Sequence, residues 1–97
     1  MDNNFHREEY KIEGARPDLS NMPVGTQQAI QVVDSEGKET RILFRVTRNV
    51  RLGSSQHWVY GQVLEPAGDW YRQVEIKLHM NHPEYDTVEI YPQAPPV

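Results

Sequence analysis

Ninety-seven residues bound this chain to one domain with one modest core, since a chain of this length buries roughly 60–65% of its unfolded surface. The absence of cysteine excludes disulfides, thiolate metal sites and a cysteine nucleophile. The net charge of −4 is unevenly spread: residues 1–37 sum to −4, residues 38–51 to +4 and residues 52–97 to −4. The apolar fraction of 37% is low for a globular domain, so part of the chain is expected outside the core, as tails. No apolar run approaches the roughly 18–20 residues of a membrane-spanning helix. The opening residues, MDNNFHREEY, lack the basic and apolar regions of a signal peptide. The expected location is cytoplasmic, with no membrane association.

In chain order, residues 1–24 read as an N-terminal arm or short helix followed by a loop. Phe5, Glu9 and Ile12 would share a helical face, with Gly14 as a stop, but two apolar residues cannot hold such a helix in water. The segment 14–27, with Pro17, Pro23, Gly14 and Gly25 among Asp, Ser and Asn, carries loop chemistry. A first strand is expected over 28–33, with Ile30 and Val32 inward. The turn 34–38 follows, with Gly37 supplying a positive φ.

The next stretch alternates over nine residues: Thr40, Ile42, Phe44 and Val46 on one side, Arg41, Leu43, Arg45 and Thr47 on the other. A period of two predicts a half-buried strand with its arginines outward. Residues 48–56 read as a polar connection. The third strand, 57–65, has Val59, Gly61 and Val63 on one face and Trp58, Tyr60 and Leu64 on the other, and Gly61 signals a bulge, a bend or a close backbone approach. A fourth strand is expected over 70–80 and a fifth over 86–91. Pro92 to Val97 reads as a proline-rich tail. The fold class is therefore all-β: five antiparallel strands in a meander, forming a small barrel or a two-layer sandwich over 25–91. The predicted core contains Ile42, Phe44, Val74, Ile76, Val88 and Ile90.

The positive island is the first candidate site. Arg41 and Arg45 share a strand face about 13–14 Å apart. Arg48 and Arg51 continue the run. Such an island suits an acidic protein surface, a nucleotide or a nucleic-acid backbone. The alternative is that the arginines pair within the sheet, with Glu36, Glu39, Glu75 or Glu89. Trp58 and Tyr60 form a second candidate, because aromatic residues beside basic ones make a stacking platform. Large apolar side chains such as Trp58 and Trp70 are otherwise ordinary core or rim residues. His79, His82, Glu84 and Asp86 offer metal-binding side chains, but two imidazoles at a strand end need not converge, and no metal is expected. His57 with Ser54 or Ser55 could be drawn as a catalytic pair, yet such combinations arise by chance.

No catalytic motif is present, and no cofactor is implied. The sequence therefore points to a small non-catalytic protein-binding module, of the adaptor, regulator, immunity or phage-inhibitor type. It would dock another protein with an acidic surface through Arg41, Arg45, Arg48, Arg51, Trp58 and Tyr60. The alternative is a small β-barrel that binds nucleic acid or a nucleotide through the same four arginines.

Overall fold

The computed structural model describes residues 7–66 and 72–92. Six antiparallel strands are found among them: β1 (Glu8–Ile12), β2 (Gln27–Val33), β3 (Glu39–Leu52), β4 (Gln56–Glu65), β5 (Arg72–His79) and β6 (Thr87–Pro92). Each pairs with the next, and β6 returns to β1, so the sheet closes into a barrel and not a sandwich. Closure removes the exposed sheet edges that an open meander would leave.

Alternation places one side chain in two inside. Ile42, Phe44, Val74, Ile76, Val88 and Ile90 are all fully buried, as the sequence pattern predicts, together with Val32, Val46 and Val59. A 3-10 turn at Leu19–Asn21 lies across one end, where Leu19 and Met22 complete the core. Its first backbone amides are capped by Asp18, whose carboxylate accepts from the Ser20 N–H at 3.1 Å.

Two expectations are corrected. The barrel has a sixth strand, β1, in the segment expected to be an arm or short helix. Its inward residues are Glu8, Tyr10 and Ile12, and the polar pair hides the pattern. These two groups are satisfied inside the structure: the Tyr10 hydroxyl donates to Glu8 at 2.7 Å, and Arg72 pairs with Glu8 at 2.6 Å. Burial, and then the bonded Glu8 carboxylate, push the Tyr10 phenol up to about 12.

The second correction concerns residues 48–56, read as a connection. Here β3 continues to Leu52 and β4 begins at Gln56, leaving a turn of three residues with Gly53 at a φ of 65°. The register explains the misreading. Val46 faces Gly61 but Arg48 faces Tyr60, so β3 holds one extra residue at a β-bulge. The bulge reverses the alternation, and a period-two reading fails beyond it.

Gly61 is needed beside this bulge for packing. A Cβ there would lie 2.6 Å from Phe44 Cδ2 and 2.7 Å from the Arg45 carbonyl oxygen. The Phe44 ring occupies the space that a side chain would take. Several sequence readings fall outside the described residues: Phe5, the strand start at Trp70 and Tyr71, and the tail beyond Pro92, which itself ends β6.

An ion pair ties the connector after β1 to the barrel. Arg16 donates to both oxygens of the buried Asp86 carboxylate, at 2.7 and 3.0 Å, and the His79 backbone N–H donates to the same group at 2.7 Å. The Arg16 fork also reaches the His79 carbonyl at 3.1 Å. This two-pronged contact holds the β5–β6 turn against residues 13–17.

Gly61→Ala should destabilise the barrel by about 1–3 kcal/mol through overpacking, and Phe44→Ala by about 3–5 kcal/mol through the cavity it leaves. Urea unfolding of each variant measures both. A Gly61→Ala protein as stable as the parent would refute the packing role of this glycine.

Candidate functional site

The four arginines of the positive island lie on β3, and the bulge divides them. Before it, Arg41 and Arg45 point outward, exposed, opposite the buried Ile42, Phe44 and Val46. After it, Arg48 points outward, while Asn49 and Arg51 take the inward side. Three arginines thus share one outer strip, and Arg51 turns to the end of the barrel capped by Leu19 and Met22.

The direct cross-strand partners of the three arginines are neutral, while Glu65 stands opposite Leu43, between Arg41 and Arg45. Arg41 faces Gln31 across the β2–β3 ladder, Arg45 lies between Gln27 and Gln62, and Arg48 faces Tyr60, its guanidinium 5.7 Å from the ring centre. Sequence reasoning left open that the island pairs with carboxylates of the sheet. Among the described residues the arginine ion pairs are Arg7–Glu89, Arg16–Asp86 and Arg72–Glu8. Every arginine outside β3 therefore has a carboxylate partner, and none of the four on β3 has one among the described residues. Glu75 is instead paired with Lys77 at 3.6 Å, and Glu89 with Arg7.

Trp58 and Tyr60 are on the outer face of β4, half-buried, and neither is core. The Lys77 ammonium lies 4.2 Å from the Trp58 ring centre, and Arg7 lies 4.9 Å from that of Tyr91 on the same side of the barrel. The Trp58 indole Nε1 is enclosed without a hydrogen-bond partner among the described residues. Beyond this aromatic band Glu75, Glu89 and Glu9 stand directly opposite one another across β5, β6 and β1. The barrel wall is thus basic along β3 and aromatic along β4, while from β5 round to β1 the carboxylates stand among cations that pair with two of them.

The end of the barrel holds a group that sequence reasoning did not assemble. His57 is 7% exposed, and its Nε2 lies 2.6 Å from Asn49 Oδ1. Asn49 Nδ2 donates to the carbonyls of Leu19 and Met22, both at 2.9 Å. With both amide protons used, Oδ1 must face His57, and the proton between them belongs to Nε2. The imidazole is then the Nε2–H tautomer. Burial and then the Arg51 charge lower the His57 pKa from its ordinary value of 6.5, with Asp18 acting weakly against them. Arg51 Nη2 donates to Ser20 Oγ at 3.2 Å. Ser20, Met22, Pro23, Asn49, Arg51 and His57 line an open groove of about 460 Å³. His57 bonds Asn49, not Ser54 or Ser55. A hairpin centred on Ser54, the residue after Gly53, would have paired 51 with 57 and 49 with 59, which was the available signal.

Among the described residues no three His, Asp or Glu side chains are placed to hold a metal ion. Asp86 is occupied by Arg16, and His82 Nδ1 lies 3.4 Å from Glu84, while His79 meets Tyr85 edge-on. No helix among the described residues is long and apolar enough to cross a membrane. No protein-family model, curated protein or solved structure matches the chain. Geometry and charge are what bear on its function.

His57 sets a pH dependence. The unfolded chain takes up a proton near the ordinary 6.5, and the folded protein only at lower pH. Its contribution to stability is therefore complete above that value and is lost as pH falls through the folded pKa. Stability should decline on acidification below about 6.5 with a histidine share of at most about 1.4 kcal/mol per pH unit, the one-proton limit. His57→Gln, which retains an N–H for Asn49, should flatten that part of the profile. Parallel pH–stability curves for parent and variant would contradict this assignment.

Proposed function

We propose that this protein is a non-catalytic binding module that docks an acidic surface of another protein through the outer face of β3 and β4. The observation that carries the reading is the contrast among the arginines. Arg7, Arg16 and Arg72 are neutralised within the fold, whereas Arg41, Arg45 and Arg48 stand outward with only glutamines and Tyr60 as cross-strand neighbours. Arginine and aromatic side chains with few lysines or carboxylates are the composition of protein interfaces. Arg48 over Tyr60 and the adjacent Trp58 supply the half-buried anchors that such an interface uses. An adaptor or an inhibitor of another protein would use such a face.

Nucleic-acid binding through the same arginines fits less well. A strand of phosphates following the aromatic band would run on to Glu75, Glu89 and Glu9, where Lys77 and Arg7 are already paired with carboxylates and offer no free counter-charge. A compact acidic patch on a protein can meet β3 and avoid that row.

The double variant Arg41→Glu, Arg45→Glu tests the reading, with partners first captured from the native host. Both residues are exposed, so the melting temperature should move by less than about 4 °C, the shift that 1 kcal/mol produces in a domain this small. Partner association should slow by about tenfold or more, and the remaining rate should depend less on salt. Lost stability with an unchanged association rate would make the island structural. Capture of DNA or RNA in place of protein, with steep salt dependence, would favour the nucleic-acid reading.

A further inference from the structure

The groove at the barrel end is distinct from the β3–β4 face and does not depend on that reading. Three of its features are unusual together. Arg51 presents a guanidinium whose contact among the described residues is a neutral hydroxyl, Ser20 Oγ. His57, on the directly opposite residue of β4, is almost fully buried, and Nε2 is committed to Asn49. Its Nδ1 is then a lone-pair acceptor with no partner among the described residues, on a ring that lines the groove. Met22 and Pro23 add an apolar flank. The groove is open and has a volume of about 460 Å³.

We infer that this groove binds a carboxylate whose α-carbon bears an amide N–H, the chemistry shared by N-acylated amino acids and the last residue of a peptide. The carboxylate meets Arg51, the amide N–H donates to His57 Nδ1, and the side chain lies over Met22 and Pro23. Arg51 and His57 are cross-strand partners with Cβ atoms about 5 Å apart, so one amino-acid residue can reach both. A phosphomonoester dianion fits worse, because it has no proton to share with the lone pair of Nδ1. Asp18, close enough to act on His57, offsets part of the Arg51 charge, which suits a single negative charge over two. The neutral state of His57 is supported by burial and by the Arg51 charge, both of which disfavour a second proton.

The test is a titration of isotope-labelled protein, followed through backbone amide shifts in heteronuclear NMR. N-Acetylleucine should cause saturable shifts at Ser20, Asn49, Arg51 and His57, with a dissociation constant on the order of 1 mM, about 4 kcal/mol of binding. N-Acetylleucinamide, which lacks the carboxylate, and N-acetyl-N-methylleucine, which lacks the N–H, should each bind at least about tenfold more weakly. A tetrapeptide ending in leucine that binds more tightly than N-acetylleucine would identify peptide ends as the source. Equal affinity would identify the terminal residue alone as the recognised unit. Arg51→Gln should weaken N-acetylleucine about tenfold while leaving the remaining amide spectrum native, since the side chain is exposed. No saturable shift at these four residues up to about 20 mM ligand would overturn the inference. So would equal binding of the amide and the acid, or phenyl phosphate dianion binding as tightly as N-acetylleucine. Because Arg41 and Arg45 lie outside the groove, the Arg41→Glu, Arg45→Glu protein should bind N-acetylleucine like the parent, so the two sites fail or succeed separately.

Discussion

The contact of the Phe44 ring with Gly61 sets the geometry on which both surfaces depend. At Gly61 the strand offers no side chain, so the Phe44 ring and the Arg45 carbonyl occupy the space that a Cβ would need. Immediately beyond, β3 carries its extra residue between Val46 and Arg48. Without that bulge the inward series 42, 44, 46 would continue to Arg48, placing a guanidinium in the core at a cost of several kcal/mol. With it, Arg48 turns outward onto Tyr60 and Asn49 turns inward. The bulge also increases local twist, which a six-stranded sheet needs in order to close.

Asn49 converts this inversion into a plug for the barrel. Its amide holds the carbonyls of Leu19 and Met22, so the 3-10 turn that seals the core is fastened through a polar side chain in an otherwise apolar position. Its oxygen then selects the tautomer of His57. Four groups along this chain — two carbonyls, an amide and an imidazole — satisfy one another, and the His57 and Arg51 side chains line the groove. On the opposite side of the same end, the Arg16–Asp86 pair fastens the β5–β6 turn to the connector after β1. The loop from 13 to 26 is thus pinned at two places, which gives the groove a fixed wall.

Charge is arranged round the barrel wall as unevenly as along the chain. The pairing Glu75–Glu89–Glu9 sets like charges opposite one another, an unfavourable arrangement relieved by Lys77 and Arg7. Those cations are consumed there and leave the arginines of β3 without a counter-charge among the described residues. A wall with unpaired arginines on one side and paired charges on the other presents a local positive field, which orients an approaching acidic partner before contact.

The sequence by itself determined the fold class, the alternating core and the existence of the positive island, because period-two patterning and turn residues are local properties. The six predicted core residues of β3, β5 and β6 are all buried. Tertiary structure decided the rest. The strand Glu8–Ile12 was hidden because its inward residues include Glu8 and Tyr10, which become acceptable inside only once Arg72, distant in sequence, reaches them. The run from Arg48 to Gln56 read as a loop because one inserted residue reverses every later side chain, and nothing local to 48–52 reveals which strand it opposes. Whether the arginines were paired could not be read from composition, since that depends on which residues the closed barrel sets across from them. The register supplied glutamines and a tyrosine there, and placed Asn49, His57 and Ser20, from three separate segments, round one groove.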